Sequence, residues 1–267
     1  MDVRAAVKPE HLERLKRLRL IDDNFMTKCF TDAPECVELV LRIVLDMPEL
    51  KVVESRTQAP APNLINRSLR LDILATDGAG KRMNVEIQRS DKGAGRKRAR
   101  FHSSMLDAGL LDSGDDFDSL PDTYIVFITE RDVIGRGEAV YRFDRYDLRT
   151  GESFDDGAHI VYVNGAFREP SPVGWLMHDF FCTDPDQMYY ETLARRARYF
   201  KKEEGVPEMC REYEQLFEEG VQKGHQEARY SVAQKMLAAG RFALEEIADF
   251  SNLPLEDVRR LAEEMAQ

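Results

Sequence analysis

The chain has 267 residues, of which 43% are hydrophobic and 33% charged, and its formal net charge is −11. Such a composition supports a folded core and allows one large domain or one medium domain with an appendage. The sequence contains neither a run of about 18 apolar residues nor an apolar N-terminal signal core, so we expect no membrane span and no secretion. The four cysteines form no CxxC pair, which argues against a zinc ribbon or a disulfide framework and fits a reducing cytoplasm.

The N-terminal region is predicted to be helical. Residues 9–20 form a short amphipathic helix, and residues 21–26 look like the cap and staple of the next element. A second helix is predicted from Thr31 or Asp32 to about Leu45, with Glu38 on a face beside its apolar stripe. A strand is predicted over 50–58, followed by a loop that leads to residue 70.

Residues 70–88 are predicted to form a β-hairpin, because two alternating runs flank the turn formers at 77–80. A three-residue loop in which Gly80 takes a positive φ pairs Asp77 with Lys81 and places Asp72 opposite Glu86. A two-residue loop would instead set Asp72 against Val85 and put the two faces out of step. The register that the three-residue loop sets is therefore preferred.

The preferred register sets two carboxylates about 5 Å apart at Cβ, where like charges are destabilising. A divalent cation between Asp72 and Glu86 would relieve this repulsion, and Mg²⁺ is held by one or two carboxylates together with water and phosphate oxygens. The alternative is a solvent-exposed sheet face that carries scattered charges.

A basic segment follows the hairpin directly. Residues 89–100 carry six bases and one acid, a local charge of +5 on an acidic protein. This pattern is typical of a phosphate-binding surface, and a solvated basic helix face is the alternative. A helix is predicted from Arg98 to Leu111.

The remaining elements predict an α/β domain with a mixed sheet. Residues 112–118 form an acidic loop, 124–129 a buried central strand, and 139–146 and 159–164 two further strands. Residues 174–203 and 208–267 are predicted to be helical. The predicted domains are 1–204 and an acidic helical region, 205–267, which contributes −6 of the net charge.

The sequence resembles the PD-(D/E)XK nuclease superfamily. The resemblance lies in Asp72, followed by Glu86-Ile87-Gln88, and in the order of predicted elements, which is helix, strand, hairpin and helix. The closest resemblance is to the bacterial Rpn-type recombination-promoting nucleases, also described as PD-(D/E)XK family transposases. It extends over nearly the whole chain, including segments 39–45, 98–107, 124–130 and 156–165 and the tail. The implied fold is a restriction-endonuclease-like core with a C-terminal helical extension.

The resemblance implies hydrolysis of DNA, most simply double-stranded, with Mg²⁺ or Mn²⁺ as cofactor and a role in recombination or transposition. Asp72 and Glu86 match the metal-binding acids, and Gln88 stands where the family usually has lysine. Glu38 and the carbonyl of Ile87 are further metal-ligand candidates. The DNA-binding candidates are Arg89, Arg96, Arg98, Arg100 and His102.

The tail leaves other readings open. Residues 243–261 have a sequence pattern similar to that of a helix-turn-helix. Their acidity argues against DNA contact and favours protein–protein interaction or homo-oligomerisation. Besides a cytoplasmic metal-dependent endonuclease, the alternatives are a non-catalytic DNA-binding protein of the same fold and an interaction protein that acts through its tail.

Overall fold

The computed structural model of the chain describes residues 9–60, 70–88, 93–111 and 114–266. The chain forms two compact units, Met1–Pro207 and Glu208–Gln267. The helices of the first unit are α1 (Pro9–Arg17), α2 (Asp23–Phe30), α3 (Pro34–Leu45), α4 (Arg96–Asp107), α5 (Pro172–Phe181) and α6 (Glu191–Lys202). Its strands are β1 (Val52–Pro60), β2 (Arg70–Asp77), β3 (Arg82–Gln88), β4 (Thr123–Thr129), β5 (Val140–Phe143) and β6 (Ala158–Asn164).

The strands form one mixed sheet in the order β1-β2-β3-β4-β6-β5. Strands β1, β2 and β3 are antiparallel neighbours, β3, β4 and β6 run parallel, and β5 pairs antiparallel with β6. Every residue of β4 is buried, as expected for a central strand covered on both faces. This architecture confirms the predicted α/β fold with a PD-(D/E)XK nuclease-like core and C-terminal helices.

Helix α4 packs over the sheet and closes one side of the hydrophobic core. Ala99 and Leu106 of this helix join Phe127 of β4 and Tyr162 of β6 in one buried cluster. The rings of Phe127 and Tyr162 stack with their centroids 5.3 Å apart. Because α4 connects β3 to its parallel neighbour β4, it begins just beyond the carboxyl end of β3, where Glu86 and Gln88 lie.

Two predicted elements differ from the structure. Asp22 stands at the N-cap position of α2, a helix that the sequence pattern did not predict, and residues 23–26 of the predicted cap segment lie within that helix. Helix α2 buries Phe25, Met26, Cys29 and Phe30. The predicted helix 174–203 is interrupted, since α5 ends at Phe181 and α6 begins at Glu191. Buried Asp179 stabilises the break by accepting hydrogen bonds from the backbone N–H groups of Tyr189 and Tyr190, both at 2.8 Å.

The C-terminal unit contains a bundle formed by the end of the long helix α7 (Val206–Ala239) with α8 (Leu244–Ser251) and α9 (Leu255–Ala266). Asn252, at φ +54°, makes the tight turn between α8 and α9. The buried residues of its small core are Ala233, Ile247, Leu253, Val258 and Leu261. Among the described residues no helix is both long enough and apolar enough to cross a membrane.

Candidate active site

The turn of the hairpin has the predicted conformation. Gly80 takes φ +87°, a region that favours glycine, and the backbone N–H of Asp77 donates to the carbonyl of Lys81 at 3.1 Å. Strands β2 and β3 pair Leu74 with Asn84 and Thr76 with Arg82. The three-residue loop and its register are therefore confirmed.

In this register Asp72 and Glu86 lie side by side on neighbouring strands. The backbone N–H of Ile87 donates to Oδ2 of Asp72 at 2.9 Å, and the N–H of Asp72 itself faces Oε1 of Glu86 at 3.3 Å. Glu86 is fully buried, whereas Asp72 is half-buried. The predicted pair of carboxylates is thus brought together at the edge of the core.

The electrostatics of the pair centre on Asp72. Its burial and the neighbouring carboxylate of Glu86 raise the pKa of Asp72 to about 7, and the hydrogen bond from the Ile87 N–H offsets only part of this. The carboxylate of Asp23 raises the pKa further, and the guanidinium of Arg98 lowers it. An ionised Asp72 is therefore costly in the protein alone, and a bound cation would lower that cost.

Behind the pair, a layer of polar side chains fixes the carboxylate of Glu86. Nδ2 of Asn84 donates to Oε1 of Glu86 at 3.0 Å, and Nη2 of Arg98 lies 3.4 Å from Oε2. Nε of Arg98 donates to Nε2 of His102 at 3.1 Å. Since that nitrogen accepts, the proton of a neutral His102 ring lies on Nδ1, which is 3.5 Å from Oε1 of Glu86.

The prediction that His102 contacts DNA is corrected by this geometry. The side chain of His102 is completely buried, and its ring lies 5.8 Å from that of Phe127. Its position on helix α4 faces the sheet rather than solvent, because Ala99, Met105 and Leu106 on the same side form core contacts. His102 instead belongs to the layer that orients Glu86.

The remaining DNA-binding candidates on α4, Arg96, Arg98 and Arg100, are exposed at its first turns, and so is the neighbouring Lys97. Nη1 of Arg98 donates to the carbonyl of Gly93 at 3.1 Å and lies 3.5 Å from Oε1 of Gln88. Gly93 packs so closely that an added Cβ would lie 1.8 Å from the same Gln88 oxygen. The guanidinium of Arg98 thus lies between Gln88 and Glu86. Arg89 lies outside the described residues.

The structure places Glu38 away from the carboxylate pair. Its Oε1 contacts Nη2 of Arg42 at 2.7 Å, and its Oε2 accepts from the backbone N–H of Val52 at 3.0 Å. Val52 pairs with Asp77, five residues from Asp72 and so about 17 Å along the strand. The expected role of Glu38 in the site is therefore corrected: this carboxylate caps the start of β1.

The acid that the N-terminal helices bring towards Asp72 is Asp23, which the sequence analysis missed. Its Oδ1 accepts from Nε2 of Gln58 at 3.3 Å, and Gln58 lies between the β1 residues that pair with Leu71 and Ile73. Gln58 has φ +53°, a strained backbone conformation for this residue type and one that is concentrated at functional sites. The polar start of α2, at Asp22 and Asp23, was the available signal.

The donor set fits a hard divalent cation bound mainly by oxygen. In the described part of the chain no three His, Cys, Asp or Glu side chains come together as a complete metal cluster. The two carboxylates would need help from the carbonyl of Ile87, which points to the same side of β3 as the N–H that reaches Asp72. Mg²⁺ uses such a partial set, completed by water and phosphate oxygens.

Comparison with known proteins finds a family for the central part of the chain. Residues 51–165 match the family model described as PD-(D/E)XK nuclease family transposase. No curated protein and no solved structure matches the chain. The matched segment is less than half of the 267 residues, so the resemblance is confirmed from β1 to the end of β6 and not over the N-terminal helices or the tail. The segment 51–165, which carries both carboxylates and the basic helix, is therefore similar to the PD-(D/E)XK nuclease family transposases.

Proposed function

We propose that the protein is a metal-dependent DNA endonuclease that hydrolyses phosphodiester bonds, and that its cleavage serves recombination or transposition. The observation that carries the proposal is the pair Asp72 and Glu86, held side by side where burial and their mutual repulsion raise the pKa of Asp72. Structural reasons alone would not retain such repulsion, because a polar uncharged pair would fit the same strands at lower cost.

Each residue of the site has a distinct proposed role. Asp72, Glu86 and the carbonyl of Ile87 would hold Mg²⁺ or Mn²⁺, and Asp23 would add a more distant carboxylate. Such an ion lowers the pKa of a coordinated water and stabilises charge on the phosphate. Gln88 can accept a hydrogen bond from the attacking water and so orient it, but it cannot supply a positive charge.

Arg98 supplies the charge that Gln88 lacks. Its guanidinium contacts Gln88 at 3.5 Å and Glu86 at 3.4 Å, so it lies beside the residue that replaces lysine. Arginine binds phosphate oxygens through two parallel N–H groups. We propose that Arg98 turns from Glu86 to the scissile phosphate when the cation and the DNA bind.

The start of α4 forms the proposed phosphate-binding surface. Its first turn contains no acid, and three exposed bases, Arg96, Lys97 and Arg98, stand at the positive end of the helix dipole. Bases at a helix N-terminus cost roughly 0.3–1 kcal/mol each. Backbone N–H groups and bases that converge there favour an anion, and the backbone of DNA offers one in every nucleotide.

Cleavage of supercoiled plasmid with Mg²⁺ or Mn²⁺ tests the assignment. Asp72→Asn and Glu86→Gln are expected to reduce the rate by at least about 100-fold, because each removes a charged ligand of the cation. Glu38→Gln is the matched control and should cut normally, since Glu38 caps β1. Equal cutting by Asp72→Asn and the unmodified protein would refute the assigned site.

A second candidate is a DNA-binding protein of this fold with little or no catalysis, and the observation that favours it is Gln88 at the lysine position. It predicts salt-sensitive binding, weakened by Arg98→Ala, with no metal-dependent cutting of duplex or single-stranded DNA. A Gln88→Lys variant separates the two candidates, because a gain of cutting by this variant alone would indicate a site that retains its metal but lacks the activating charge.

A further inference from the structure

One part of α7 is exposed on all sides. Every residue from 217 to 229 is solvent-exposed, although the helix runs without a break from Val206 to Ala239. Helices in water owe most of their stability to packing of an apolar face, and short isolated ones are marginal. A helix of this kind needs either a dense set of stabilising charge pairs or a surface to pack against.

The composition of this part makes an isolated helix less favourable still. Gly220 and Gly224 lie one turn apart, and each costs about 1 kcal/mol relative to alanine in a helix interior. An added Cβ at either position would meet no atom within 4 Å, so packing within the chain does not require glycine there. A close approach of another backbone would require it.

The exposed apolar residues form one stripe. Phe217 is 54% exposed and Val221 42% exposed. With Gly224 and Ala228 they follow a spacing of four, three and four residues, within about 60° of the helix circumference. Ala233, which is buried in the core of the C-terminal unit, lies on the opposite side of the helix. The stripe therefore faces away from that core.

The order of large and small residues in the stripe suits an antiparallel copy of itself. A two-fold axis between Gln222 and Lys223 would set Phe217 against Ala228 and Val221 against Gly224 of a second chain. Large side chains then face small ones, as close packing requires. A parallel pair would set Phe217 against Phe217 and leave a gap where Gly224 meets Gly224.

The charges of α7 point to the same orientation. Residues 208–219 carry five acids and one base, whereas residues 220–239 carry three bases and one acid. In an antiparallel pair the acidic half of each helix faces the basic half of the other, and in a parallel pair like charges face each other. Charge patterns of this kind set partner choice and orientation in helix pairs.

We propose that the stripe formed by Phe217, Val221, Gly224 and Ala228 is an interface between two copies of this chain, which pair antiparallel through α7. The stripe spans roughly 20 Å of helix, so the interface is small and an affinity in the micromolar range is expected. The interface is independent of the nuclease assignment, because none of its residues belongs to the site.

Light scattering coupled to size-exclusion chromatography tests the association on the full chain, loaded at about 1 to 100 µM. The unmodified protein is expected to shift from monomer to dimer over this range. Val221→Glu should raise the dissociation constant at least about 30-fold, because it places a charge in the centre of the seam. Gln226→Glu adds the same charge on the opposite, exposed side of α7 and should leave the dimer intact.

Circular dichroism of both variants separates loss of association from loss of the helix. A chain that stays monomeric at the highest concentration, or a Val221→Glu variant that dimerises like Gln226→Glu with its helix content unchanged, would overturn the proposal.

Disulfide trapping tests the orientation, in a background where the half-exposed Cys182 is replaced by serine. A mixture of Phe217→Cys and Ala228→Cys chains should form the mixed disulfide on mild oxidation, and Phe217→Cys alone should not. Efficient cross-linking of Phe217→Cys with itself would overturn the antiparallel arrangement.

Discussion

At the scale of single residues, the site is organised by what each carboxylate touches. Glu86 is fully buried and oriented by Asn84, Arg98 and His102, whereas Asp72 is half-buried and has one backbone donor. The two acids are therefore not equivalent. Glu86 has a fixed position before any cation binds, and Asp72 is the residue whose charge state depends on the cation and on pH.

The raised pKa of Asp72 predicts a pH dependence of stability. Because the folded state holds this proton more tightly than the unfolded state, the contribution of Asp72 to stability falls as pH rises from about 4 to about 7. As the pH is raised from 5 to 8, the unfolding free energy of Asp72→Asn should thus increase by about 1–2 kcal/mol relative to that of the unmodified protein.

Urea unfolding in a chelator, followed by the fluorescence of the single tryptophan, Trp175, measures this difference. The prediction would be contradicted if the difference in unfolding free energy between Asp72→Asn and the unmodified protein did not change with pH. Saturating Mn²⁺ should remove the fall in stability for the unmodified protein only, because the cation stabilises the ionised carboxylate.

Asp23 and Glu38 offer a direct test of which N-terminal acid belongs to the site. Asp23→Asn is expected to weaken Mn²⁺ binding by about 3- to 10-fold, because it removes a negative charge close enough to raise the pKa of Asp72. Glu38→Gln should bind Mn²⁺ normally and lose stability instead. Titration calorimetry with Mn²⁺ compares the two, and an effect confined to Glu38→Gln would reverse the assignment.

At the scale of elements, the hairpin turn sets the register on which the carboxylate pair depends. Gly80 has φ +87° and no neighbour within 4 Å of an added Cβ, so only backbone strain opposes a side chain there. Gly80→Ala should cost about 1–2 kcal/mol of unfolding free energy. Gly78→Ala, whose Cβ would make an ordinary 3.9 Å contact with Val53, should be close to neutral. Similar losses in both variants would contradict this account of the turn.

Lys201 connects α6 to two other segments of the first unit. Its buried ammonium donates to the backbone carbonyls of Leu18 and Thr183, and burial lowers the pKa of Lys201 to about 8. Lys201→Met should cost about 1–3 kcal/mol near pH 7, because both carbonyls lose their donor.

The lowered pKa gives a second readout of the same variant. Between about pH 8 and pH 10 the folded state releases the Lys201 proton before the unfolded state does, so the unmodified protein should gain stability relative to Lys201→Met. Denaturation of both proteins at pH 7, 8, 9 and 10 measures this gain. If the unfolding free energies of the two proteins changed equally with pH, the Lys201 ammonium would be stabilised as well in the folded protein as in water.

At the scale of the whole molecule, charge is distributed unevenly. The chain carries −11 overall, yet the start of α4 is strongly basic. Nonspecific attraction to DNA is therefore expected to be weak, and binding should depend on a few local phosphate contacts. If Arg96, Lys97, Arg98 and Arg100 each contact one phosphate, the slope of log K against log salt should be about −3 to −4 for duplex DNA.

Arg100→Ala tests the number of phosphate contacts. The loss of one contact should reduce the magnitude of the slope of log K against log salt by about 1. Fluorescence anisotropy over a series of salt concentrations gives the slope. Arg56→Ala, an exposed arginine on β1 that pairs with Glu54, is the control and should leave the slope unchanged. An unchanged slope for Arg100→Ala would remove this residue from the DNA surface.

The sequence by itself determined the features that depend on near neighbours. The turn at Gly80 and the alternation of the two runs set the register of β2 and β3, and with it the meeting of Asp72 and Glu86. Tertiary structure decided what depends on contacts between distant segments. The packing of α2 and α3 brought Asp23 rather than Glu38 towards the site. The packing of α4 on the sheet buried His102 behind Glu86. Hydrophobic periodicity tells which face of a helix is buried, but not which of its polar residues lies opposite a given strand.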